Sequence, residues 1–289
     1  MMCHHTKYRH PPRFNNPIRR RLLGLLEQHV IPELAEIISD YEGYASWNPF
    51  TAARDGDVLA MELCFRSGAD VLGKNKGAML IDAACGNGHL RMLKWLVKEA
   101  GANVNHVDPW GRSPLHIVCD NNYLKMAKWL INKAGADVNG VTVKKTECAT
   151  AGRTPLYSAC SIGNLAMVEW LVKEAGAEVN WRDQSGESPL HLTCVKHHLA
   201  VVKWLVEEAG ANVNQVNDCG WSPLMMACYY GQLSVVQWLV CVANADVNVK
   251  STALWYDAHR PGSSALDVAE HPEIVTFLMD QQHKRRRAH

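Results

Sequence analysis

The chain has 289 residues, 47% of them hydrophobic, which is ample material for the core of one or two ordinary domains. Its formal charge of +1 hides an uneven distribution: residues 1–21 carry six basic groups and no acid, and Lys284, Arg285, Arg286 and Arg287 add four more. The other 20 basic residues face 29 acidic ones, so the body carries about −9, the wrong sign for a nucleic-acid groove along it.

Residues 1–16 read as a disordered basic tail. Their sequence, MMCHHTKYRHPPRFNN, has no apolar core of signal-peptide type. No apolar run of about 18 residues occurs anywhere in the chain, so no membrane-spanning helix is expected. Cytoplasm or nucleus is the expected location.

Residues 17–46 place Ile18, Leu22, Leu25 and Leu26, then Leu34, Ile37, Ile38 and Tyr41, at spacings that suit two short amphipathic helices broken near Pro32. The simpler reading is a helical cap that packs on the chain beyond residue 46.

Residues 47–279 are periodic. Cys85, Cys119, Cys160, Cys194 and Cys228 share one register and Trp95, Trp129, Trp170, Trp204 and Trp238 another, in steps of 34, 41, 34 and 34 residues. Self-similarity at this period marks stacked supersecondary units, seven here with atypical ends, and such stacks present extended surfaces. Cysteines in one register sit on stacked helices about 10 Å apart, whereas a disulfide needs Cα atoms within about 7 Å. A reduced, packed ladder is therefore expected, in a reducing compartment. His116/Cys119 and His191/Cys194 imitate half a metal site, but both pairs occupy the same two repeat positions, so packing accounts for them. No metal is expected.

The unit at 153–186 shows the local logic. Thr154 reads as a helix N-cap with Pro155 at the first helical position, a pair repeated as Ser113-Pro114, Ser188-Pro189 and Ser222-Pro223. Leu156, Ala159 and Cys160 form a narrow apolar face. Gly163 permits a left-handed turn. Leu165, Met167, Val168, Trp170 and Leu171 give the second helix a wide apolar face, as expected between two neighbours. Gly176 ends it, as do Gly101, Gly135, Gly210 and, once, Asn244. His197 stands where other units have Gly88, Gly163 or Gly231.

SPLHIVC, TPLYSAC, SPLHLTC and SPLMMAC, each closing downstream in AGADVN, AGAEVN, AGANVN or ANADVN, resemble ankyrin repeats over roughly residues 47–279. The resemblance implies an all-α solenoid of helix–turn–helix units joined by projecting β-hairpin fingers. The period of 34 is one longer than the common ankyrin length. Insertions fall in two fingers, at 140–152 and at 249–263. In the latter, Trp255 and Tyr256 either bind or fold back over the end of the stack. In the N-terminal segment, VIPELAEIISDY resembles the opening helix of F-box-like motifs. That resemblance implies a substrate-recognition adaptor of a ubiquitin ligase.

No glycine-rich phosphate loop, GxSxG elbow or HExxH is present. Asp82, Tyr157 and Asp267 fill the slot of His116 and His191, which indicates local hydrogen bonding in place of catalysis. No catalytic residue, cofactor or small-molecule substrate is expected, and a monomer is. The resemblance implies a protein partner across finger tips and the exposed side of the first helices. Carried onto this sequence, those positions are Trp110, Arg112, Asp120, Asn121, Arg153, Ile162, Gln184, Glu187, Lys196, Asp218, Trp221, Tyr229 and Tyr230. Interface anchors favour Trp, Tyr and Arg. Trp221, Tyr229 and Tyr230 are thus the expected hot spot, pointing away from the packed faces, and the negative body favours a basic partner segment. Residues 280–289 form a basic tail, read as a solvated end or a nuclear-import signal, and tail-driven nucleic-acid association is the remaining alternative.

Overall fold

The computed structural model describes residues 49–66, 76–143, 151–253 and 261–287. The tail and cap assigned to 1–46, the F-box-like segment, most of the first finger insertion and the pair Trp255 and Tyr256 lie outside the described residues.

Thirteen helices are present among the described residues: α1 Pro49–Asp55, α2 Val58–Arg66, α3 Lys76–Gly86, α4 Leu90–Lys98, α5 Pro114–Asp120, α6 Leu124–Ala134, α7 Pro155–Ile162, α8 Leu165–Lys173, α9 Pro189–Val195, α10 Leu199–Glu207, α11 Pro223–Tyr229, α12 Leu233–Cys241 and α13 Pro272–Arg287. They pair in sequence, and the first helices of successive units stack in one row. The second helices form the other row. In the last unit the first helix shrinks to a turn at 265–268.

Small residues let the first helices approach closely. Ala84, Ala159 and Ala227 are fully buried, and Cys85, Cys160, Cys194 and Cys228 are 0% exposed with Cys119 at 1%. All five cysteines are free, and burial pushes their thiols up, Cys228 to about 12. A thiol so raised is a poor nucleophile. The caps form as the sequence predicts: Thr154 Oγ1 accepts from the Tyr157 amide at 3.4 Å and Ser222 Oγ from the Met225 amide at 3.3 Å. In the second row Trp170, Trp204 and Trp238 are buried, while Trp95 and Trp129 are half-buried. Lys128 lies over the ring of Trp170 and Lys173 over that of Trp204, each from the preceding unit.

An asparagine ladder binds the units along their other edge. Asn105, Asn139, Asn180 and Asn214 each accept, through Oδ1, from a backbone amide of the next unit: Asp137, Glu178, Asn212 and Asp246. The first three also donate to the carbonyls of Gly135, Gly176 and Gly210. These are the asparagines of the AGADVN-type closers, whose recurrence is thus explained by bonding between units.

The left-handed turn between the paired helices is set by the following unit. A Cβ on Gly163 would strike the ring of His198, and one on Gly231 the ring of His271. Where the following residue is not a ring, glycine is dispensable. Asn122 adopts φ 60 and is followed by Asn164, whose side chain caps its own helix. His197 adopts φ 65 and is followed by Gln232, which its imidazole contacts. The turn at His197 is therefore conventional in shape despite its residue.

The fingers depart from expectation. They contain no strand among the described residues. Three close with a tight turn, as in Asp183 N–H to Glu187 O at 2.9 Å and Asn217 N–H to Trp221 O at 2.9 Å, while the two long ones are closed by Thr142 N–H to Arg153 O and Ser251 N–H to Ser263 O. Only one or two backbone bonds link one to the next among the described residues: Val143 to Gly111, Gln184 to Ala151, Asp218 to Ser185, and Thr252 and Ala253 to Cys219. The reason is local. A side-chain oxygen takes the amides that a hairpin ladder would use: Asp108 accepts from Trp110 and Arg112, Asp183 from Ser185 and Glu187, and Asn217 from Cys219 and Trp221.

Candidate partner-binding surface

Two imidazoles fix the fingers to the first helices. His116 Nε2 donates to Arg153 O at 2.8 Å and His191 Nε2 to Trp221 O at 3.0 Å. Their Nδ1 atoms accept from the amides of Ser113 and Ser188, so both rings are neutral. Burial holds both below the usual imidazole range, His191 at about 4. Tyr157 does the same work differently, donating to Glu187 Oε2 at 3.2 Å, and Asp82 through His106 at 2.8 Å. The slot is structural throughout, as its varied occupants indicate.

On this frame two arginines each face two carboxylates. Arg112 pairs with Asp108 at 3.0 Å and Asp120 at 3.2 Å, and its guanidinium lies 5.3 Å from the centre of the Trp110 ring. Arg153 meets Asp183 at 3.3 Å and stacks 4.5 Å over Tyr157. Glu187 stands in the same group: burial first, then Asp183, raises its carboxyl, against the pull of Tyr157 and Arg153. Two successive units thus each hold one cation against two acids.

The predicted site residues separate into three groups. Trp110 at 60% exposure, Ile162 at 47% and Tyr230 at 41% are open apolar positions. Asn121, Gln184, Lys196 and Asp218 are exposed and polar, with Asp218 paired to Arg182 at 2.8 Å. Arg112, Asp120, Arg153, Glu187 and Tyr229 are half-buried. Trp221 is a correction. It is 0% exposed and sits inside the core, with its ring edge-on to Tyr229 at 5.6 Å. Its slot just before the cap lies over the first helix, where an apolar side chain packs inward while Arg112 and Arg153 reach out to carboxylates. Trp221 therefore supports Tyr229, which in turn meets Tyr230 at 5.1 Å. Trp181, on a finger, is half-buried and donates to Gly152 O at 2.7 Å.

Asp108, Asp183 and Asn217, which shape the fingers, are absent from the residues singled out by sequence. A signal existed: each stands five residues before Ser113, Ser188 or Ser222, with glycine between. Among the described residues no group of three His, Cys, Asp or Glu is arranged to hold a metal ion, and no helix is long and apolar enough to cross a membrane.

No curated protein gives a match to the chain. The family model described as ankyrin repeats in three copies matches residues 50–142, 80–183, 140–217, 156–251 and 209–287. Those overlapping stretches run through every finger and stacked pair described above, and the chain belongs to the ankyrin-repeat family.

Proposed function

We propose that this chain is a non-catalytic protein-interaction module that holds a partner along its finger tips and the exposed ends of its first helices. Ankyrin repeats as a family serve protein–protein binding, which is the general warrant. The observation that carries the specific reading is the set of open apolar positions, Trp110 in a finger turn and Ile162 and Tyr230 at first-helix ends, with carboxylates in excess over arginines in the same units. Trp110 and Tyr230 stand three units apart, about 30 Å at helix-stacking distances, a span that about nine extended residues cover. The partner is therefore an extended segment with basic side chains among apolar anchors. Complementary charge acts mainly on its association rate.

Trp110→Ala combined with Tyr230→Ala should weaken capture of the partner at least about tenfold, or 1.4 kcal/mol. The melting temperature should hardly move, because both rings are exposed. Titration of the recovered partner against full-length protein and double variant checks this. Unchanged affinity, or a matching fall in melting temperature, would count against the surface.

A further inference from the structure

The second-helix row carries a charge pattern that the proposed partner surface does not use. Arg91, Lys94 and Lys98 on α4, and Lys125, Lys128 and Lys133 on α6, put six cations on two adjacent helices against the single acid Glu99. Arg91 and Lys125 share one repeat position, and Lys94 and Lys128 another, so the cations stand in rungs across the helix pair. Among the described residues none of the six enters an ion pair. Among the described residues Lys128 has a ring partner, that of Trp170.

Fold stability does not account for them. Lys98 and Lys133 end their helices, where positive charge suits the helix dipole, but Arg91 and Lys125 sit in first turns, where it is unfavourable. The equivalents of Arg91 and Lys125 in later units are Ala166, Ala200 and Ser234, and there Lys173 and Lys203 are outnumbered by Glu169, Glu174, Glu207 and Glu208. The excess of cations over acids is thus confined to two units of a body with net charge about −9.

We infer that the α4–α6 outer face is a second docking surface, and that it takes an acidic segment of a partner protein, a run of Asp and Glu laid across the two rungs. A short acidic segment ends where the basic face ends. A nucleic-acid strand of any length runs on over acidic surface, which repels it.

The test uses the full chain and a fluorescein-labelled decaglutamate peptide, with anisotropy read at low salt and at about 0.5 M, where screening is strong. Saturable, salt-sensitive binding is expected. Arg91→Glu with Lys94→Glu and Lys125→Glu should weaken it at least about tenfold, with a melting temperature equal to or above that of the parent, since two of the changes relieve first-turn repulsion. A variant with Lys284, Arg285, Arg286 and Arg287 replaced by Gln should bind as the parent does. Loss of binding in that tail variant, with the triple variant unaffected, overturns the assignment. So does an oligothymidylate of equal charge that binds more tightly than the peptide and depends on the same three residues.

Discussion

Trp170→Ala should lower the unfolding free energy by about 3–5 kcal/mol, as expected for a large-to-small change in a core. The ring is 5% exposed, its Nε1 donates to Glu174 at 3.0 Å, and the Lys128 ammonium lies 5.4 Å from its centre. Deleting it opens a void between successive second helices and strips Lys128 of its packing surface. Trp110→Ala, on an exposed finger, should stay within about 0.5 kcal/mol of the parent. Denaturant melts of the two variants side by side decide the matter. Equal, small losses would show that the tryptophan ladder is not core.

The second large effect is acid sensitivity from the buried imidazoles. His191 sits at about 4 in the folded protein against 6.5 in a free chain, because burial disfavours its charged form. With the folded value below the unfolded one, the unfolded chain binds the proton first. Stability is therefore full above about 6.5, falls as the pH drops through the interval, and levels off below about 4. The whole interval corresponds to about 3 kcal/mol, and about 2 kcal/mol of it is lost by pH 5. His116 shifts in the same direction for the same reason and adds to the slope. His191→Gln keeps a side chain able to accept from the Ser188 amide as in a capping box but cannot titrate. Its difference in stability between pH 7 and pH 5 should be smaller than the parent's by about 2 kcal/mol. An unchanged difference would mean that His191 is protonated in the folded state.

Trp170 and His191 belong to features legible in the sequence to different degrees. The repeat register, the Ser/Thr-Pro caps and the structural nature of the His116 slot are readable because each recurs at a fixed spacing with telling substitutes. The burial of Trp221 is not. Its slot holds Arg112, Arg153 and Glu187 in the other units, so its position predicts exposure, whereas the indole packs into the core, edge-on to Tyr229. The glycine turns are legible as left-handed, but their cause, a ring from the next unit, lies some 35 residues away and leaves no local mark. Among the described residues the short fingers lack the expected strands because Asp108, Asp183 and Asn217 claim the amides, a substitution that depends on side-chain geometry more than on composition.

Whether a partner lies across the fingers and first-helix ends is tested most directly by hydrogen–deuterium exchange of the full chain, alone and with its captured partner. Protection is predicted at 108–121, 151–162, 183–196 and 217–230, the stretches that carry Trp110, Ile162, Lys196 and Tyr230. Unchanged exchange in all four, with protection appearing instead in residues 1–46, would contradict it and move the binding site to the N-terminal segment.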